Sequence, residues 1–499
     1  QLHTLDRAGA GCPGVAVPSV QEGVPELMRG KGKGIASTLV AAAAGISVAA
    51  CGGGAGATQA ASSPTVTSEA DTILHMDQVR AAGYTGAGVR VGVISTGVVN
   101  LASYQTAGAL PTSLYVTQNA AGMLDEGSWM LELVHQHAPD AVLGFCDGLD
   151  LDFDGCIKDL ANNFHADVIV DDILFSGQFY PDATADLVTQ LEAANDRLVF
   201  IHLAGNEQKG GYWQGPFIPT EAVLNGATET VLDFGLASGA ASDPFNSISV
   251  PAGAHLILIM NWNDPPHGTA NHALSVHLLG DVSQELAHAS GQSDPTVRLD
   301  YVNTGASAQT VRLAVSLDEG TPGGLAIQVT EGSPTCNIEC QPMAHESAGL
   351  AGGTIGDFPD ALVVGATSAM SPRQLEAWTN RGPFRIDFQS TSDSAAPDGY
   401  DYARLATPLR ISKPDLVAPD CVTVPFSSGT ALSNDTFCGT SAAVPAIAGA
   451  AALLESAGFN RSRVLRALRT TAVRLGASAW DPGYGFGLAD AAAAWRSGG

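Results

Sequence analysis

The most informative stretch of the sequence is Cys438-Gly439-Thr440-Ser441-Ala442-Ala443-Val444-Pro445, which opens a helix of small residues that continues through Ala452. Gly439 permits a sharp backbone turn before the helix begins. Ser441 then lies at the helix N-terminus, where unpaired N–H groups and the helix dipole favour a developing negative charge. The pattern indicates either a serine nucleophile beside an oxyanion site or a plain N-cap on a buried helix.

Upstream of this helix, strands and helices alternate along the chain. Continuous apolar runs at 89–94, 141–145, 167–170 and 198–203 predict buried parallel strands, and helical stretches separate them. The alternation resumes at 361–366 and ends in the helix that carries Ser441. We therefore predict an α/β domain with a parallel sheet and helices on both of its faces.

Strand follows strand in the middle of the chain. Short apolar runs at 248–250, 256–260, 274–279, 297–301, 311–315 and 325–329 are separated by Gly, Asn and Pro. This pattern is typical of an all-β sandwich. We place the inserted sandwich at 221–333, so that the α/β domain covers 70–220 and 334–495.

The segment 439–449, GTSAAVPAIAG, resembles the nucleophile motif of the subtilases, the subtilisin-like serine peptidases, although their His after the Pro is Ala446 here. Further segments resemble the family in the right order: 91–98, 204–207, 381–383, 413–419 and 487–491. The resemblance covers about 70–490 apart from the insertion. It implies a subtilisin-like fold, Ser441 as nucleophile, and Asn206 together with the Ser441 N–H as the oxyanion site.

Two positions depart from the family's triad. Ser95, followed by Thr96, stands where the family has its Asp, and Glu126 stands where it has its His. Loss of the Asp alone lowers the rate of a serine peptidase about 10⁴-fold. Without the His as well, about 10³ to 10⁴ over water remains. Either another residue therefore acts as the base, or the protein cleaves its substrate only very slowly.

Glu126 is the candidate base, because sedolisins, which share the fold, use a Glu at this place with a Ser nucleophile. Their Asp one helical turn later is Met130 here. Asp125 is the neighbouring candidate, and Asp171 and Asp172 end a strand at the cleft. A carboxylate pair can share a proton and raise one pKa, and we expect an acid limb of activity between about pH 4 and 6. In the alternative interpretation, Asp125 and Glu126 only begin a helix.

Two other motifs resemble functional sites. His267-Gly268-Thr269 repeats the family's HGT tripeptide, but it follows Asn206 and lies inside the insertion, which argues against a catalytic role. The run from Asp150 to Gly155 resembles the start of an EF-hand loop, but Ala161 replaces the Glu of position twelve. We therefore expect no cofactor, with Ca²⁺ at this loop as the less favoured interpretation.

The N-terminal region indicates export. Arg29, Lys31 and Lys33 precede an apolar stretch at 35–50 and then Cys51, a pattern typical of a lipoprotein signal peptide at 28–51 with Cys51 lipidated. The stretch is short for a spanning helix. We interpret 1–27 as an upstream extension of the gene model and 52–69 as a flexible tether. A plain secretory signal is the alternative.

Cysteines and charge agree with an exported protein. Six of the eight Cys fall in close pairs, for which we predict the disulfides Cys146–Cys156, Cys336–Cys340 and Cys421–Cys438. No pair has partners at zinc-ligand spacing. The net charge of -27 argues against nucleic acid as a partner.

Together these features predict a monomeric, lipid-anchored serine endopeptidase of the bacterial cell envelope, in the periplasm or on the outer surface, that acts on polypeptides. The rival hypothesis is an inactive lipoprotein of subtilase fold that binds peptides or partner proteins.

Overall fold

The computed structural model describes residues 67–118, 125–148, 153–174, 179–181, 183–208, 211–265, 272–281, 284–291, 295–331, 343–347, 361–392, 400–427 and 432–498. Within these ranges, no helix is both long and apolar enough to cross a membrane. The predicted signal peptide with Cys51, the Cys336–Cys340 bridge and His267 lie outside the described residues.

The first α/β segment contains six helices and five strands among its described residues. The helices are α1 (Glu69–Ile73), α2 (Met76–Ala81), α3 (Leu101–Ala107), α4 (Glu126–His137), α5 (Phe153–Asn162) and α6 (Ala183–Ala194). The strands are β1 (Arg90–Ser95), β2 (Tyr115–Gln118), β3 (Val142–Asp147), β4 (Val168–Asp171) and β5 (Val199–Leu203). At the N-terminus of α1, the Ser68 hydroxyl accepts the N–H of Ala70 at 3.3 Å.

The inserted region consists of antiparallel strands and one short helix in its described part. Its elements are β6 (Tyr212–Gly215), β7 (Pro219–Leu224), β8 (Ala227–Leu232), α7 (Phe234–Ala237), β9 (Asn246–Val250), β10 (His255–Trp262), β11 (Ala273–Asp281), β12 (Gln284–Gly291), β13 (Thr296–Val302), β14 (Gln309–Glu319) and β15 (Leu325–Glu331). They form one sheet in the order β13-β10-β15-β6 and another in the order β12-β11-β14-β8-β7, with β9 paired to β14. Apolar side chains of both sheets share one core, as in a sandwich.

The sandwich begins earlier than the boundary at 221 that the sequence predicts. Strand β6 pairs with β15 from Tyr212 onward, and the Tyr212 and Trp213 side chains are buried. A four-residue strand gives too short a pattern to be recognised from sequence alone.

The second α/β segment completes the domain. Its elements are β16 (Leu362–Ser368), β17 (Phe384–Ser392), β18 (Tyr400–Ile411), β19 (Leu416–Asp420), β20 (Val422–Ser427), β21 (Leu432–Phe437), α8 (Thr440–Ser456), α9 (Arg461–Thr471) and α10 (Ala491–Arg496). The hairpins β17–β18 and β20–β21 were not expected from the sequence.

The central sheet has the strand order β19-β16-β5-β4-β1-β3-β2, and all of its pairings are parallel. Helices α4 and α8 pack on one face, and α5 and α6 pack on the other. The predicted α/β fold with an inserted β region is thereby confirmed. In such a sheet, ligands bind at the carboxyl ends of the strands, and Ser95 and Asp171 end β1 and β4 there.

Two disulfides lie in the described part of the chain. Cys146 at the end of β3 is bonded to Cys156 in α5, and Cys421 is bonded to Cys438. The second bridge closes the β20–β21 hairpin immediately before the turn at Gly439. It thus fixes the backbone that leads to Ser441.

Candidate active site

Ser441 is the second residue of α8 and follows a tight turn at Gly439, whose φ is 101°. A Cβ at Gly439 would lie 3.3 Å from the Nδ2 of Asn206. The Gly439 N–H donates to the Asp420 carboxylate at 3.1 Å. The turn therefore needs glycine both for its backbone angle and for its approach to Asn206.

The Asn206 side chain is oriented by Thr440. Its Oδ1 accepts hydrogen bonds from the Thr440 N–H at 3.0 Å and from the Thr440 hydroxyl at 2.8 Å. Its Nδ2 consequently faces the Gly439 turn beside the nucleophile. The Ser441 N–H belongs to the first helical turn, whose N–H groups have no acceptor within the helix. These two groups are the donors for which the sequence predicts an oxyanion site, and both lie at the Gly439 turn.

Glu207 and Asn380 hold the Asn206 loop in place. The Glu207 carboxylate accepts from the Asn206 N–H at 2.9 Å and from the Asn380 Nδ2 at 2.6 Å. The Glu207 N–H in turn donates to Asn380 Oδ1 at 2.9 Å. Burial raises the pKa of Glu207 to about 7 in spite of these donors. No sequence pattern predicts that Asn380 supports the segment around Asn206.

We expect Asn206→Ala to lower any peptidase kcat by about 10² to 10³, the range measured for a lost oxyanion donor. The physical reason is the loss of a preoriented N–H where charge develops. Steady-state kinetics on a polypeptide substrate test it, and an effect below about threefold would show that the cleft does not work in this way.

Glu126 is the first residue of α4 and is buried beside Ser441. The Thr96 hydroxyl donates to its Oε2 at 3.2 Å. The Ser441 hydroxyl and the Asp172 side chain also interact with this carboxyl group. Burial raises the pKa of Glu126 to about 7, and the hydroxyl donors only partly offset it. The structure therefore brings Glu126 and Ser441 together. The acid limb of the pH–activity profile, expected from the sequence between about pH 4 and 6, is now expected near pH 7.

Close packing at Gly127 places Glu126 against the turn after β1. The Gly127 N–H donates to the Gly97 carbonyl at 3.1 Å. A Cβ at Gly127 would lie 2.7 Å from that oxygen and 2.4 Å from the Phe145 ring. Any larger residue would push Glu126 away from Thr96.

Asp125 has different partners from Glu126. Its carboxylate accepts from the Asn100 N–H at 3.1 Å, from the Asn100 Nδ2 at 3.2 Å and from the Ser128 hydroxyl at 2.8 Å. Burial raises its pKa. Asp125 thus ties the start of α3 to the start of α4, and we leave it out of the reaction proposed below.

The neighbours Asp171 and Asp172 point in opposite directions, as consecutive residues at a strand end do. Asp171 Oδ1 is 2.8 Å from His202 Nδ1 and accepts the Ile173 N–H at 3.2 Å. Asp172 instead interacts with Glu126 and with the Ser95 hydroxyl. The sequence placed both at the cleft, and the structure selects Asp172 as the carboxyl group beside the base.

Ser95 and Thr96 replace the family's carboxylate with hydroxyl groups that serve the Glu126–Asp172 pair. Thr96 donates to Glu126, and Ser95 lies beside Asp172. From the sequence alone, Ser95 and Thr96 are seen only as the residues that stand in place of a carboxylate. Their position at the end of a buried strand was the signal that could have identified them.

The described residues hold one group of possible metal ligands, Asp420 with Cys421 and Cys438. Both cysteines are engaged in their disulfide, so this group offers one carboxylate and no thiolate. In the EF-hand-like segment, Asp154 accepts the Thr184 hydroxyl at 2.6 Å, while 149–152 lie outside the described residues.

Comparison with known proteins bears on the fold and on the segment that contains Ser441. Residues 346–487, which include Ser441, match the subtilase family, described as Peptidase_S8. The structure of the Clostridium perfringens CspB protease is similar with a TM-score of 0.52 at 15% identity, over 86% of this chain and 98% of that chain. MycP1 from the ESX-1 type VII secretion system matches at 16% identity over 86% of each chain, with a TM-score of 0.39. No protein with curated annotation matches the sequence. The fold is therefore subtilisin-like, and the segment around Ser441 matches the subtilase family.

Proposed function

We propose that this protein is a serine-type endopeptidase of the bacterial cell envelope, with Ser441 as nucleophile and Glu126 as its base. The observation that carries the proposal is that the Ser441 hydroxyl, at the N-terminus of α8, lies close enough to the buried Glu126 carboxyl group to lower its pKa. The neighbouring Asn206, oriented by Thr440, supplies the third element that acyl transfer requires.

In the proposed reaction, Glu126 accepts the proton of Ser441 while the Ser441 oxygen attacks the peptide carbonyl carbon. The resulting oxyanion is stabilised by Asn206 Nδ2 and the Ser441 N–H. Protonated Glu126 then gives its proton to the leaving amine, and the C–N bond breaks to leave an acyl-enzyme. Water then gives a proton to Glu126 and attacks the acyl carbon, and Glu126 returns that proton to the Ser441 oxygen as the ester bond breaks and the acid product leaves.

A pKa of about 7 suits Glu126 to both halves of this cycle. A free Glu, with a pKa near 4.3, would be a weak base for a serine. Burial brings the pKa of Glu126 close to that of a His. At neutral pH, about half of the molecules then still hold the ionised form. The Glu126 carboxylate therefore supports the chemistry without the family's His.

Covalent labelling tests the proposal. A fluorophosphonate should label the wild-type protein once, at Ser441, and Ser441→Ala should abolish the labelling while leaving the fold intact. Ser462→Ala, at an exposed position on α9, is the matched control and should label like the wild type. If Ser441 resists the reagent between pH 5 and 9, a range that brackets the pKa of Glu126, the inactive peptide-binding alternative applies.

Attachment to the envelope rests on the sequence around Cys51. The positive residues, the apolar stretch and the Cys are arranged as in a lipoprotein signal peptide, and the following Gly- and Ala-rich segment suits a tether. Mass spectrometry of the purified N-terminus should find a lipid-modified Cys51. An unmodified N-terminus, or one that retains residues 1–27, would contradict lipid anchoring.

A further inference from the structure

Asp172 is a buried carboxyl group that the reaction above does not use. Its residue is 7% exposed, and neither of its oxygens has a well-directed hydrogen bond within the described ranges. Its backbone N–H donates to the Ile94 carbonyl at 3.3 Å, which fixes the residue beside the end of β1. A buried polar group with no partner requires an explanation.

The groups that face Asp172 come from each element packed around it. Glu126 approaches from α4, and the Ser95 hydroxyl approaches from β1. Asp171 precedes it on β4, where it is turned towards His202 of β5, and Asp147 of β3 lies opposite Ser95 in the sheet register. The charges that act on Asp172 are those of Glu126 and Asp171, and both are negative.

An ionised Asp172 is therefore strongly disfavoured. Burial and the two negative neighbours raise its pKa well above the usual value, so that it keeps its proton when Glu126 is ionised. Two adjacent carboxyl groups then hold one proton between them. The Glu126 Oε1, which is buried without a well-directed hydrogen bond, remains available as an acceptor.

We propose that protonated Asp172 orients the base: its carboxyl O–H donates a hydrogen bond to the Glu126 carboxylate and holds that carboxylate towards Ser441. This inference rests on the proposed function. A His base needs an acceptor behind it, as the Asp of the familiar triad provides. A carboxylate base needs a donor instead, and a protonated Asp kept neutral by its surroundings is one. Asp172 is thus a positioning residue that acts through Glu126.

The pH profile distinguishes this role from a structural one. Activity should rise as Glu126 loses its proton and fall again as Asp172 loses its own at higher pH. Asp172→Asn keeps an N–H donor that cannot ionise, so it should retain kcat within about threefold and lose the alkaline limb. Asp172→Leu has no donor, so it should lower kcat by about tenfold to a hundredfold and move the acid limb to higher pH.

Asp171→Asn is the matched control, because it changes the adjacent carboxyl group on the opposite side of the strand. It should keep both limbs and move the alkaline limb to lower pH, since it removes a negative neighbour. Rates of fluorophosphonate labelling at Ser441, measured across pH for each folded variant, give the profiles. An alkaline limb that persists in Asp172→Asn, or equal losses in the Asn and Leu variants, would overturn the proposal.

Infrared spectroscopy separates this inference from the proposed function. A protonated-carboxyl component at pH 8 that the wild type shows and Asp172→Asn lacks, beyond the stretches of Glu132, Asp420 and Glu455 that both proteins share, would support a neutral Asp172 whether or not Ser441 reacts. Its absence in the wild type would refute the inference even if labelling of Ser441 succeeds. A wild type that shows this component but resists labelling would refute the proposed function and, with it, the orienting role of Asp172.

Discussion

Replacing Glu126 by Gln is expected to lower kcat for a polypeptide substrate by about 10³-fold, within the range that a general base contributes. Gln has nearly the volume of Glu and can still accept from Thr96, so the fold should remain intact. It cannot accept the Ser441 proton at any pH. Casein hydrolysis followed from about pH 4 to 10, on both sides of the Glu126 pKa of about 7, measures the effect.

Wild-type activity should show an acid limb near pH 7, because only the ionised carboxylate is a base and burial raises its pKa to about 7. Activity is then lost as the pH falls through this value. Ser95→Asp, which introduces the triad Asp of the subtilases without their His, should add little activity, since no His stands beside it to be oriented.

Asp125→Asn is the control for this experiment. It alters the residue next to Glu126, but its carboxylate binds Asn100 and Ser128 and not the nucleophile. We expect it to lower the melting temperature and to leave the pH profile of kcat in place. Equal cleavage by wild type and Glu126→Gln would show that Glu126 only begins helix α4.

The fold could be predicted because its main signals are local. The turn into α8 needs Gly439 and small residues after it, and buried parallel strands read as continuous apolar runs. The hairpin β17–β18 gave no such signal, since most of the β18 side chains are exposed. Its pairing with the rest of the molecule depends on contacts far apart in the chain, such as the Asp387 N–H donating to the Phe179 carbonyl at 2.7 Å.

The candidate site could be predicted only in part, for a similar reason. Ser441, Asn206 and Glu126 follow from motif positions, and the structure places them together. The end of the strand determines whether Asp171 or Asp172 faces Glu126. A shift of the strand by one residue would exchange the two side chains. The pKa of Glu126 depends on burial by segments that are distant in sequence, which no local pattern records.

Buried carboxyl groups outside the cleft should favour the folded state more at acid pH than at neutral pH. Burial raises the pKa of Glu132 to about 9 and the pKa values of Asp420 and Glu455 to about 8. Their unfolded values lie near 4, so between about pH 4 and 9 the folded state holds protons that the unfolded state has released. The free energy of unfolding therefore falls as the pH rises through this window and is unaffected by these groups below it. Asp71 acts in the opposite direction at the acid end. Its hydrogen bond to Arg80 helps to lower its pKa to about 2, so the stability that it contributes is lost as the pH falls from about 4 to 2.

Glu132 is the sharpest test of this pH dependence, because it is 1% exposed and neither of its oxygens has a hydrogen-bond partner among the described residues. Glu132→Gln imitates the protonated side chain, so we expect it to leave the free energy of unfolding nearly unchanged at pH 4. At pH 8 it should raise that free energy by about 3–5 kcal/mol, because wild-type Glu132 must take up a proton to fold and Gln need not, at about 1.4 kcal/mol for each unit between the unfolded pKa and the working pH. Denaturant unfolding at both values measures the difference, with exposed Glu319→Gln as the matched control that should change neither. A gain of equal size at both pH values would mean that packing, and not the proton on Glu132, limits stability at this position of α4.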